Sequence, residues 1–150
     1  MIRKARITDI KQIQSLINGF ANKDLMLPRS LNELYENIRD FWVFERDKKV
    51  VGCSAVHISW DDLVEIKSVA VESKFQKKGL GRSLILACLN EARELGAKKV
   101  FVLTYKPAFF RKFGFKRIKH DDIPLPSARG KPVYGEMDEQ HQQGKFHEGI

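Results

Sequence analysis

The stretch Val69-Ala70-Val71-Glu72-Ser73-Lys74-Phe75-Gln76-Lys77-Lys78-Gly79-Leu80-Gly81-Arg82-Ser83-Leu84 decides how this chain folds. It predicts the end of a buried strand, a basic loop with two glycines, and the start of a long amphipathic helix. Glycine lets the backbone come close to a ligand. The unpaired N–H groups and roughly half a positive charge at a helix N-terminus suit a phosphate. Two common phosphate loops read G-x-x-x-x-G-K-[ST] and G-x-G-x-x-G. Here Gln76-Lys77-Lys78-Gly79-Leu80-Gly81 reads Q-x-x-G-x-G, a different spacing.

Downstream, Leu80, Leu84, Ile85, Cys88, Leu89, Ala92 and Leu95 repeat at helical spacing until Gly96 stops them. Residues 98–105 predict a strand, so strand, helix and strand form a βαβ unit with parallel strands. Pro107 opens a short helix through Phe113, Gly114 ends it, and residues 115–118 form one more strand. Upstream, residues 63–71 predict a strand with Glu65 and Lys67 on one face. Residues 41–46 and 50–60 predict a hairpin turning at Asp47-Lys48-Lys49.

Nearer the start, residues 2–6 predict a first strand. Thr8 is then expected to cap a helix carrying Ile10, Ile13, Leu16, Ile17 and Phe20. Ser30-Leu31-Asn32-Glu33 has the S-x-x-E pattern of a capping box, leading a second helix with Leu31, Leu34, Tyr35 and Ile38 as its buried stripe. Beyond His120 the apolar pattern decays, with an edge strand expected between Val133 and Met137. The expected organisation is one α/β domain over residues 1–137, followed by a mobile polar tail over 138–150.

The composition narrows the function. At 150 residues, with 43% hydrophobic and 31% charged, the chain reads as a single soluble domain. No segment approaches the roughly 20 apolar residues of a membrane span. Met1-Ile2-Arg3-Lys4-Ala5-Arg6 lacks an apolar signal core, so a cytoplasmic protein without a membrane partner is expected. Cys53 and Cys88 fall in apolar patterns without C-x-x-C and read as reduced core residues. No zinc-ligand spacing occurs, and no metal is expected. The formal net charge of +8 fits nucleic acid, a solvated basic surface, or a site for a polyanionic cofactor with an acidic substrate. Aromatic residues do not interleave with the basic ones, so nucleic acid is not the expected partner.

Directly after a Val-Ala-Val strand, the Q-x-x-G-x-G loop resembles the acetyl-CoA pyrophosphate loop of the GNAT N-acetyltransferases. A second segment, Pro107-Ala108-Phe109-Phe110-Arg111-Lys112-Phe113-Gly114-Phe115, is similar to that family's A-x-x-[YF]-x-x-x-G-F signature. The resemblance implies an acyl-CoA N-acyltransferase fold, a mixed and mostly antiparallel central sheet flanked by helices. Met26-Leu27-Pro28-Arg29-Ser30, Val51-Gly52-Cys53-Ser54-Ala55, Glu65-Ile66-Lys67-Ser68-Val69-Ala70-Val71 and Phe101-Val102-Leu103-Thr104-Tyr105 carry a narrower one. Together they resemble the acetyltransferase domain of short-form bacterial N-acetylglutamate synthases. The likeness covers roughly residues 1–118. The tail after Leu125-Pro126 lacks the tryptophan and cysteines of that form.

The resemblance implies acetyl transfer from acetyl-CoA to the α-amino group of an amino acid, L-glutamate first, at the entry to arginine biosynthesis. Gln76, Lys77, Lys78, Gly79, Leu80, Gly81 and Arg82 would hold the cofactor's phosphates. The N–H at Val69 would face the thioester oxygen, and Val71 would align the pantetheine arm beside Phe110. Glu65 would take the amine proton through ordered water. Phe110 occupies the position of the family's usual tyrosine acid, leaving Tyr105 as the substitute. A thiol pKa near 8.5 also makes an acid dispensable. Arg29 would bind an acceptor carboxylate, with Lys67 as a second cation. Transfer to another small amine or a protein amino group, or an acetyl-CoA-binding regulatory module, are the alternatives. A homodimer is left open.

Overall fold

Strand β1 (Ile2–Lys4) is followed by helices α1 (Ile10–Ala21) and α2 (Leu31–Glu36) and then by strands β2 (Phe41–Arg46), β3 (Lys49–Trp60) and β4 (Leu63–Val71). Helix α3 (Leu80–Glu94), strand β5 (Lys99–Leu103), helix α4 (Pro107–Arg111) and strands β6 (Lys116–Ile118) and β7 (Val133–Gly135) follow. The computed structural model describes residues 1–21, 29–104, 106–118 and 133–135. Residues 22–28, Tyr105, His120 and residues 138–150 lie outside the described residues. The chain divides into two compact units, Met1–Val56 with Lys67–Cys88, and His57–Ile66 with Leu89–Ile150.

In the first unit the strand order is β1-β2-β3-β4. The β2–β3 hairpin is antiparallel, with Arg46 opposite Lys49. Asp47 and Lys48 both take positive φ, 51° and 64°, so the two-residue turn has the twist that antiparallel strands require. Ile10, Ile13 and Ile17 of α1 are fully buried with Leu34, Phe41, Val43 and Cys53. Their i, i+3, i+7 spacing turns one face of the helix inward. Burying each such side chain contributes about 2 kcal/mol.

Helix α1 does not begin at a Thr8 cap. Thr8 lies inside a 3-10 turn, Ile7–Asp9, and the Asp9 carboxylate accepts the Arg6 N–H at 2.7 Å. That carboxylate also faces Arg3, at 2.8 and 3.1 Å from its two terminal nitrogens, and Arg3 reaches Glu45 on β2 at 2.8 Å. Ser30 caps the second helix, its Oγ accepting the Glu33 N–H at 3.2 Å, while the Glu33 carboxylate turns to Arg29 instead of completing the expected box. That helix's stripe is narrower than its spacing suggested, because Tyr35 is 41% exposed.

In the second unit β4 and β5 are parallel, pairing Leu63–Ile66 with Lys99–Val102. Strand β7 runs antiparallel to both β5 and β6 and lies between them, so it is not the edge strand expected. Leu63 and Phe101 form a small core with Leu103 and Ile118. Phe109, Phe110, Phe113 and Phe115 make edge-to-face contacts with centroids 5.1–5.6 Å apart. Helix α3 ends at Gly96, φ 81°, where the Ala97 N–H reaches the Ala92 carbonyl at 3.0 Å. Leu95, expected on its buried stripe, is 48% exposed because it belongs to that turn.

Candidate functional site

The loop after β4 is pinned to the end of its strand. A 3-10 turn, Ser73–Phe75, starts it, and the Gln76 side-chain amide donates to the Val71 carbonyl at 2.9 Å. Lys77 and Gly79 then take left-handed backbone, φ 61° and 85°. For Lys77 that conformation costs about 1–2 kcal/mol relative to ordinary backbone. The Gly79 carbonyl accepts both the Ser83 N–H and the Ser83 hydroxyl at 3.1 Å, closing the first turn of α3. The N–H groups of Leu80, Gly81 and Arg82 stand in that turn, where no intrahelical acceptor precedes them. Leu80 buries its side chain, while Lys77, Lys78 and Arg82 are exposed or partly so. The loop is thus anchored by an apolar residue and presents N–H groups and cations outward.

Phe75 adds a feature that the sequence does not reveal. Its ring lies 5.5 Å from Arg46, 5.3 Å from Lys74 and 5.8 Å from Lys78. Arg46 comes from β2, so only the fold brings it to the loop.

Arg29 is buried. Its Nε and one terminal nitrogen close on the same Glu33 oxygen at 2.8 and 2.7 Å, and its other terminal nitrogen donates to Ser68 Oγ at 3.0 Å. The guanidinium lies over the Phe41 ring at 5.1 Å. The Arg29 N–H points to Asn18 and the Gln14 amide to its carbonyl, each at 3.4 Å. A guanidinium has five N–H hydrogens in a rigid fork. After these contacts, among the described residues, one hydrogen on each terminal nitrogen is left for a second acceptor. Glu33, Ser68, Phe41, Asn18 and Gln14 escaped the sequence reading, apart from Glu33 as a capping residue. The Glu33 carboxylate serves Arg29, and this i, i+4 pair is the one signal the sequence offered.

Strand β4 carries the remaining expected groups. Ser68 has φ 56°, a left-handed residue in mid-strand, immediately before Val69. Its carbonyl accepts from the Cys53 thiol at 3.3 Å. Burial pushes that thiol up to about 12, against the lowering by a backbone hydrogen bond and Arg29. Val69 and Val71 are half-buried. Two residues before Ser68, the parallel ladder with β5 ends at Ile66. Glu65, in the second unit, is buried, and Lys67, in the first, is half-buried. Phe110, 5% exposed, packs against Phe109 and Phe115.

Residues 37–117 match the family described as the acetyltransferase (GNAT) domain. The chain belongs to the GNAT acetyltransferase family. The GNAT mixed sheet with flanking helices, expected from the glycine loop, is the fold observed. The amino-acid acetyltransferase of Mycobacterium tuberculosis is 39% identical to this GNAT chain over 122 residues, 79% of this chain and 70% of that protein. An uncharacterized N-acetyltransferase of Chlorobaculum tepidum is 37% identical over 123 residues, 82% of this chain and 79% of that protein. A Mycobacterium tuberculosis structure in complex with CoA aligns at TM-score 0.81 and 31% identity, covering 91% of this chain and 98% of that one. The N-acetylglutamate synthase of Neisseria gonorrhoeae, complexed with coenzyme A and N-acetyl-glutamate, aligns at TM-score 0.85 and 27% identity. That likeness covers 91% of this chain and 34% of the synthase chain.

Proposed function

We propose that this GNAT acetyltransferase uses acetyl-CoA to acetylate the α-amino group of an amino acid, with L-glutamate as the first candidate and arginine biosynthesis as its setting. The observation that carries the acceptor is Arg29, a buried guanidinium already aimed by Glu33 and Ser68 with donor hydrogens left for a carboxylate. A fork of this kind suits a planar carboxylate far better than a hydroxyl or an amide. The relatives named amino-acid acetyltransferase support the same class.

The loop fits the cofactor's phosphates on its own geometry. Two left-handed residues turn the chain, the first turn of α3 offers N–H groups, and Lys77, Lys78 and Arg82 supply charge. Acetyl-CoA supplies an acetyl group activated as a thioester. Glu65 receives the proton of the acceptor ammonium through water, freeing the nitrogen lone pair. The amine nitrogen then forms the C–N bond as the C–S bond breaks, sulfur keeps the electron pair, and the nitrogen gives up its second proton to water as the amide forms. Val69 N–H donates to the oxygen that gathers negative charge. The thiolate leaves as such or takes a proton from solvent, since Phe110 carries none and a thiol near pKa 8.5 is a good leaving group.

Thiol release from acetyl-CoA, measured across a panel of amino acids, tests this reading. Turnover concentrated on dicarboxylic amino acids, glutamate above the rest, is expected. Equal acetylation of many amines would overturn the glutamate assignment, and cofactor binding without turnover on any amine would favour a binding module.

A further inference from the structure

We propose that Ser68 is a positioning residue for acetyl transfer, its peptide plane locked between Cys53 and Arg29 so that the Val69 N–H is aimed at the reacting oxygen. The inference rests on the function proposed above and concerns the part of β4 inside the first unit. Across a trans peptide the carbonyl and the next N–H lie in one plane and point in opposite directions. Fixing the Ser68 carbonyl therefore fixes the direction of the Val69 N–H. The Cys53 thiol fixes it, donating to that carbonyl at 3.3 Å from inside the core. Burial keeps this thiol protonated, so the donor persists through the working pH range.

The second lock acts on the side chain. Arg29 donates to Ser68 Oγ at 3.0 Å, and Arg29 is itself held by Glu33 and Phe41. A non-glycine residue at φ 56° persists where its surroundings over-determine it, and such residues gather at functional sites. Among the described residues only Asp47, Lys48, Ser68 and Lys77 share this backbone region without being glycine. Asp47 and Lys48 make a hairpin turn and Lys77 shapes the phosphate loop. Ser68 has no turn to make. Its conformation instead separates the residue that would read the acceptor from the N–H that would meet the acyl oxygen. Acceptor recognition and carbonyl polarisation thus share one residue.

Three variants of the full chain, assayed by thiol release, test this. Ser68→Gly keeps left-handed backbone accessible but removes the CH2OH group and with it the Arg29 lock, so kcat should fall about three- to fivefold while the acceptor KM rises several-fold. Ser68→Val disfavours positive φ, and kcat should fall at least ~30-fold with acetyl-CoA KM unchanged. Cys53→Ala removes the carbonyl anchor and should lower kcat about five- to tenfold, with Cys53→Ser restoring part of it. A merely structural role would move thermal stability and both KM values together. Unchanged kcat in Ser68→Val, or an equal loss in Ser68→Gly, overturns the inference. Should Ser68→Val fail to fold, Cys53→Ala decides, and an unchanged kcat there overturns it. A wild type that acetylates no amine removes the proposed function and this inference with it. A wild type that turns over while the variants behave alike removes the inference alone.

Discussion

Arg29 and Glu33 form a one-turn ion pair in which two guanidinium nitrogens, 2.8 and 2.7 Å away, share a single carboxylate oxygen. The arginine side chain is 5% exposed and the glutamate 42%, so the buried partner depends on the half-exposed one. Glu33→Ala should destabilise the fold by about 1–2 kcal/mol, a loss moderated by solvent at the glutamate. Thermal melts would read this as a fall of several degrees. Arg29→Lys keeps the charge and loses the fork, so the acceptor KM should rise at least ~tenfold while acetyl-CoA KM stays within about twofold.

The phosphate loop makes a separate prediction. Gly79 sits at φ 85°, and a methyl group added there would meet no heavy atom within 4 Å, so an alanine costs backbone conformation alone. Gly79→Ala should weaken acetyl-CoA binding roughly five- to tenfold, for about 1–2 kcal/mol of strain. Gln76→Ala, which frees the Val71 carbonyl, should act in the same direction. Calorimetric titration with CoA measures both. Wild-type affinity in both variants would mean that the loop does not seat the cofactor.

Glu65→Gln keeps the shape and removes the proposed base. A fall in kcat of about 10²-fold or more is expected, with partial recovery as pH rises and free amine becomes abundant. A pH–rate profile superimposable on wild type would exclude Glu65 as the proton acceptor.

Asp9 governs acid stability. Burial alone would raise its carboxyl, but the Arg3 hydrogen bonds and the Arg6 N–H prevail and hold it below the usual carboxylate range. The folded carboxylate therefore releases its proton at lower pH than the unfolded one. Its contribution is complete above the unfolded value of about 3.9 and is lost as pH falls through the folded value. Denaturant midpoints should stay level from neutral pH to about 5 and then drop. Asp9→Asn should remove roughly 2–3 kcal/mol and flatten that acid limb.

Both cysteines are buried thiols outside any disulfide. Cys53 is held protonated by burial, and the Cys88 thiol donates to Ser54 Oγ at 3.0 Å. A maleimide should label neither thiol in the folded protein and both after unfolding, read by mass spectrometry. Labelling of the folded chain would show that this core opens.

Much of the architecture is readable in the chain because its signals are local. Alternating apolar residues from Phe41 to Val71 mark β2, β3 and β4, and the periodic apolar run from Leu80 to Ala92 marks α3. Gly79, Gly96 and Gly114 mark chain reversals where positive φ is needed. Local signals mislead where two of them compete. Thr8 looks like a cap, yet it lies inside a 3-10 turn that the Asp9 carboxylate closes by accepting the Arg6 N–H, held there by Arg3. Strand β7 looks like an edge, since short strands flanked by glycine and proline usually are, yet β6 closes over it.

By itself, the sequence determined the family and the order of its elements. Q-x-x-G-x-G after a valine-rich strand and the Phe110-Gly114-Phe115 segment depend on backbone requirements that few residue types satisfy. Only the tertiary structure decided how Arg29 is held and how the Ser68 peptide is anchored. Those relations join Arg29 to Ser68 across 39 positions and Cys53 to Ser68 across 15, through single hydrogen bonds. A lone serine or cysteine has no periodicity from which such a bond can be read. The glycine loop is therefore written in the sequence, whereas the geometry behind its neighbouring strand exists only once the chain has folded.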